Sequence, residues 1–273
     1  MNYLSVFVVV ALLMAPSFAS AQQITPNPNP AGNTITVATS SGVNSFSFLN
    51  AGTIAITDSG VLVNDGSLTN NGTLNSNGVL TNNGSLTTDD MFTNNGVVTN
   101  NGSFANFGRF DGEGTFVGQL DDLGVLAPGY SVGGMSVDGI LNKIGGSTEI
   151  ELGGLFDGGG EASLSQFDWI DVVGNVNLSG SLNVSLDGNF LLADNMSFDI
   201  LRVSGSRNGS YAGLGEGALV GNFEGQDLFI TYLGGDGNDV TLFTAFGATV
   251  PEPTTILIWS MLAGLGMTRR RRR

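Results

Sequence analysis

Side chains able to do chemistry are few in this 273-residue chain, because histidine and cysteine are both absent. Their absence excludes a thiolate nucleophile, a zinc–thiolate or imidazole-held metal, a disulfide framework and a Ser/His/Asp relay. Carboxylates remain. Three pairs, Asp89 with Asp90, Asp121 with Asp122 and Asp168 with Asp171, have a spacing from which an acid and a base for glycoside cleavage could be drawn. The same residues are common at solvated turns and strand ends, and no cluster of Lys or Arg accompanies them to hold an acidic sugar. The chain is therefore read as not an enzyme. "GGDGND", starting at Gly234, offers Asp236 and Asp239 as candidate calcium ligands beside turn carbonyls. It occurs once, whereas such a site is completed by a second turn of the same kind. It reads as a structural turn, with calcium the one cofactor hinted at. "GLGEGALVG" from Gly213 has the glycines of a phosphate loop but no neighbouring βαβ pattern. Asn-x-Ser/Thr triplets such as those at Asn71, Asn101 and Asn177 read as turn chemistry.

The elements that must position these residues follow from a strict period of six. Glycines fall at 60, 66, 72, 78, 84, 96, 102, 108 and 114, with Asp90 filling the gap. Two residues after each of these positions stands an apolar side chain, from Leu62 through Leu68, Leu74, Leu80, Leu86, Phe92, Val98, Phe104 and Phe110 to Phe116. A helix needs apolar spacings of three and four, and the Gly and Asn content would cost it up to about 1 kcal/mol per residue relative to Ala. Stacked β-coils return one side chain to the same environment at each short strand. Eighteen residues per coil would give about three coils in this segment and twelve about five. Gly and Asn suit corners at positive φ, and pairs such as Asn70-Asn71 and Asn82-Asn83 are expected to stack there as amide ladders. As a corner residue, Asn82 should tolerate Ser, whereas a charge at Leu80 should break the stack.

Both ends of the chain carry export features. Leu4–Met14 is apolar, Pro16 breaks it, and Ala19-Ser20-Ala21 provides the small residues of a cleavage site, so residues 1–21 read as a signal peptide. The last 24 residues, "VPEPTTILIWSMLAGLGMTRRRRR", place Pro251-Glu252-Pro253, an apolar span over 256–267, and Arg269, Arg270, Arg271, Arg272 and Arg273 in that order. This segment resembles a PEP-CTERM sorting signal. The resemblance implies transient anchorage in the membrane, recognition by an exosortase, and a Gram-negative-type bacterium that makes exopolysaccharide. Removal of both ends takes away five Arg and Glu252, leaving 4 basic and 23 acidic residues and a net charge of −19. Such a surface should repel nucleic acid and attract divalent cations diffusely.

After Gly118 the hexad phase is lost and "LGVLAPGYSVGGMSVDGILNKIGGSTEIELGG" begins. Ala127-Pro128-Gly129, Ser131, Gly133-Gly134, Gly146-Ser147-Thr148 and Glu151 carry a resemblance to the passenger-associated repeat of bacterial autotransporters. It implies a β-helix that continues the solenoid.

The expected fold is all-β, a parallel β-helix or solenoid. Its parts are a signal peptide (1–21), an N-terminal β cap and first coils (22–59), the hexad solenoid (60–117), the passenger-like β-helix (118–245) and the sorting signal (246–273). The expected role is a secreted or cell-surface structural or adhesive protein of an exopolysaccharide or biofilm matrix, with exosortase, matrix polysaccharide or surface proteins as partners. The alternatives are a carboxylate-dependent polysaccharide hydrolase or lyase, and an ice- or mineral-binding solenoid suggested by Thr69, Thr81, Thr87, Thr93 and Thr99 at one hexad phase.

Overall fold

The computed structural model describes residues 22–38 and 41–245. The signal peptide with Ala19 and Ala21, and the tail with Pro251, Glu252, Pro253 and Arg269 to Arg273, lie outside the described residues. Within them the chain is a parallel β-solenoid of about six turns. No helix among the described residues is long and apolar enough to cross a membrane.

Each hexad makes one four-residue strand, and three hexads make one coil. Val61–Asn64, Val79–Asn82 and Val97–Asn100 stack in parallel on the first face, with Leu62, Leu80 and Val98 in register. Ser67–Asn70, Ser85–Thr88 and Ser103–Asn106 do the same on the second face, and Thr73–Ser76, Met91–Asn94 and Arg109–Gly112 on the third. Partners are eighteen residues apart, as in Ser67 with Ser85, so the coil holds three hexads and not two. Earlier coils are slightly longer; Ser47–Asn50 pairs with Ser67–Asn70 at a separation of twenty.

The hexad's apolar residue points inward because side chains alternate along a strand. Leu62, Leu68, Leu74 and Leu80 are fully buried. Further along, the columns change from Leu to Phe, and Phe92 stacks on Phe110 with ring centroids 4.8 Å apart while Phe104 meets Phe116 edge-on at 4.9 Å.

Alternation also sends the fourth strand residue inward, and this is a correction to the corner reading. Asn64, Asn70, Ser76, Asn82, Thr88 and Asn106 are all completely buried. The first Asn of each pair lines the interior, and only the second, such as Asn83 or Asn101, is exposed. Between the first and second faces, Asn44 donates through Nδ2 to Oδ1 of Asn64 at 2.7 Å, Asn64 to Asn82 at 2.6 Å, and Asn82 to Asn100 at 2.7 Å. The other amide hydrogen of each is also used: Asn64 reaches the Ser85 carbonyl and Asn82 that of Ser103. An outer ladder runs beside it, from Asn101 to Asn83 and from Asn83 to Asp65.

The hexad glycines have a different reason from the one expected. None of the nine glycines at the hexad positions has a positive φ. A Cβ built on Gly84 would instead lie 1.9 Å from the carbonyl oxygen of Gly66, and one on Gly102 would lie 2.0 Å from that of Gly84. Glycine stacks directly on glycine where the coil turns, so close approach of backbones selects the residue.

Beyond the hexads the coil grows. Thr115–Asp122 and Gly134–Lys143 pair at a separation of 21, and Gly134 then pairs with Trp169, 35 residues on. The added residues leave at the corner between the third and first faces, first as the segment 129–133 and then as the excursion 153–168. Parallel stacking ends in antiparallel strands: Asp239–Thr244 pairs with both Ser197–Val203 and Gln226–Gly234, and Leu219–Phe223 pairs with the latter. Asp239–Thr244 thereby pairs the outer edge of Ser197–Val203, the last parallel strand of the first face, which would otherwise be open.

Candidate functional site

Two of the three carboxylate pairs come apart. Asp122 is fully buried with Lys143, whose Nζ donates to Asp122 Oδ2 and to the carbonyls of Gly124 at 2.8 Å and Gly145 at 2.5 Å. Asp122 also ends an inner column, accepting from Asn106, which itself accepts from Thr88 at 2.6 Å. Burial raises the Asp122 carboxyl and lowers the Lys143 ammonium from their ordinary values. Asp121 points outward, accepting from Gln119 and Asn142. Asp89 and Asp90 sit exposed at a coil corner.

Asp168 and Asp171 face different cavities. Asp171 lies in a shallow depression with Arg202 and Asp239, and its carboxyl is raised first by burial. Asp168, only 2% exposed, accepts from the backbone N–H of Gly133 and of Glu151, both at 2.8 Å. Burial pushes its carboxyl up to about 8, against the pull of those two donors. With both oxygens so engaged, Asp168 fastens the segment 129–133 to the strand Ser147–Asp157.

The segment read as a structural turn is a turn. "GGDGND" is the turn between the antiparallel strands Gln226–Gly234 and Asp239–Thr244, not one of a stack of parallel turns. Asp239 Oδ1 accepts from Val203 N at 2.7 Å, and Asn238 donates to the Val203 and Gly205 carbonyls. Among the described residues, no three acidic side chains are grouped to hold a metal ion. Glu216 of "GLGEGALVG" accepts from Thr231 Oγ1 and Tyr232 N, so that loop is tied to the same hairpin.

The threonine row is divided among faces. Thr81 and Thr99 are neighbours on the first, Thr69 and Thr87 on the second, and Thr93 stands buried on the third. The first face is otherwise Val61, Val79 and Val97 in register, with Val79 37% and Val97 40% exposed.

A cleft of about 340 Å³ opens where the coil grows. Its walls include Arg109, Tyr130, Glu149, Glu151 and Asn183, with Asp168 at the base. Successive rungs of the third face deliver Glu149 and Asn183, which are in register, and the segment 129–133 brings Tyr130 to the cleft wall. Arg109 donates through Nη1 to Glu149 Oε2 at 2.5 Å and through Nε to Asp111 Oδ2 at 3.2 Å. Tyr130 is 73% exposed, and its hydroxyl accepts from Asn95 Nδ2 at 3.2 Å. Of this group the sequence reading singled out Asp168 as a carboxylate and Glu151 only as part of a repeat; Glu149, Arg109 and Tyr130 come from separate coils and share no local pattern. Comparison with known protein families and with curated proteins gives no match to this chain.

Proposed function

We propose that the protein is an exported structural or adhesive component of a cell surface or exopolysaccharide matrix, working through its long faces. The observation that carries this reading is the regular outward display of small polar groups. Ser67, Ser85 and Ser103 stand in register on one face, and Asp65, Asn83 and Asn101 form a hydrogen-bonded row along the neighbouring corner. Rungs about 4.8 Å apart repeat each group, which suits many weak contacts that add through multivalency. The four basic residues of the described region, Arg109, Lys143, Arg202 and Arg207, are each bonded within the protein, in keeping with a surface that does not attract nucleic acid.

On this reading the signal peptide exports the chain, and an exosortase acts near Pro251-Glu252-Pro253 after the tail has held it in the membrane. Fractionation of the producing cell, with mass spectrometry of the recovered protein, tests it. The expected product lies in the surface or matrix fraction, begins near Gln22 and lacks Arg269 to Arg273. A chain found in the cytosol with both ends intact would sink the reading.

A further inference from the structure

We propose that the cleft between the segment 129–133 and the third face binds an oligosaccharide bearing free amino groups. The inference deepens the matrix reading and rests on it for the class of ligand. A cleft of about 340 Å³ is large enough for a small ligand and is built on paired strands, so its walls are already in place. Tyr130 supplies an exposed aromatic face at the rim, held through its hydroxyl by Asn95. An aromatic face takes the C–H side of a pyranose ring and attracts an ammonium group held near it.

The charge inside the cleft decides the kind of sugar. Arg109 is the one basic residue lining it, and its guanidinium is already shared between Glu149 and Asp111. Glu151 adds a carboxylate that makes no ion pair among the described residues. An acidic sugar would meet like charge here, and across a mature chain of net charge −19. A neutral sugar could donate a hydroxyl to Glu151 but would bring no charge to pair with it. A protonated amino sugar gains a charge-assisted hydrogen bond to Glu151 and a place against Tyr130, while Asn183 can donate to or accept from its hydroxyls.

Calorimetric titration of the full-length chain with a glucosamine tetramer tests the proposal, with the N-acetylated tetramer and a tetragalacturonate alongside. The expected result is a one-to-one isotherm with the amino tetramer that weakens as salt rises. Binding should be at least about tenfold weaker for the acetylated tetramer, for Tyr130→Ala and for Glu151→Gln, and lost for the acidic one. Both substitutions are at the cleft surface, and unchanged thermal melting would show that the fold is intact. Absence of binding by the amino tetramer, equal binding of all three sugars, or indifference to both substitutions would overturn the proposal. Co-sedimentation with insoluble matrix separates the two readings. If the wild-type chain sediments with matrix but ignores the tetramer, the cleft proposal falls and the surface reading stands; if it does neither, both fall.

Discussion

Asn64 Nδ2 lies 2.6 Å from Asn82 Oδ1, and neither residue has any exposure to solvent. Asn82 passes the bond on to Asn100 and also serves the Ser103 carbonyl, so it is a link in a ladder and not a replaceable corner. Truncation would take a partner from the Asn64 amide N–H and from two acceptors, Asn100 Oδ1 and the part-buried Ser103 carbonyl, at about 1–3 kcal/mol for each group left buried and unpaired. Asn82→Ala is expected to cost about 2–5 kcal/mol, while Asn83→Ala in the exposed outer ladder costs under about 1 kcal/mol. Denaturant melts of the two variants check this, and equal losses would show that burial of the inner ladder does not matter.

Backbone stacking gives a second pair of variants. Gly84→Ala places a methyl group 1.9 Å from the Gly66 carbonyl oxygen, where neither backbone can yield without opening the coil. A loss of several kcal/mol is expected, of the order of an overpacked core. Gly215 has open space around its missing Cβ and no positive φ, so Gly215→Ala should change stability by less than about 0.5 kcal/mol. Thermal melting distinguishes them, and a well-tolerated Gly84→Ala would contradict the stacking argument.

The buried ion pair should be strongly coupled. Lys143→Met leaves the Asp122 carboxylate buried without its cation and is expected to cost about 3–5 kcal/mol. Adding Asp122→Asn removes the stranded charge while retaining an acceptor for Asn106. The double variant should therefore recover part of the loss, and a strictly additive cycle would mean that the pair does not act as a unit.

Asp168 gives the fold a pH dependence with a definite sign. Its folded carboxyl is pushed up to about 8 by burial, whereas in the unfolded chain it titrates near 4. Between those values the folded protein keeps a proton that the unfolded chain releases, so the contribution is complete below about pH 4 and is lost as pH rises toward 8. Burial raises Asp122, Asp171 and Asp239 in the same sense. Melting temperature is expected to fall across this range, and Asp168→Asn should flatten the slope. An unchanged slope would remove Asp168 from the account.

Calcium should act on this protein diffusely. With Asp239 held by Val203 N and the turn placed between antiparallel strands, added Ca²⁺ should raise the melting temperature no more than Mg²⁺ does, and less as salt rises. A saturable, Ca²⁺-selective rise abolished by Asp239→Ala would show a formed site.

The period of six was legible along the chain because each hexad repeats the same local alternation. Leu62, Leu68 and their successors were identifiable as core from spacing alone, and Gly and Asn density ruled out helix. Coil length was not, since two or three hexads per turn satisfy the same pattern; the count is settled only by closing three faces around a shared interior, which pairs Ser67 with Ser85. The inward direction of Asn82 follows from the same alternation that buries Leu80, but the amides it meets and the backbone contact at Gly84 involve residues eighteen positions away and have no local signature. Lys143 looked like one of a few scattered basic residues, yet stacking places it against Asp122 at the end of a buried polar column. The cleft is likewise a product of tertiary structure. Arg109, Tyr130 and Glu149 meet only because the coil lengthens at one corner while the third face stays in register, which brings Arg109 and Glu149 together from rungs two apart.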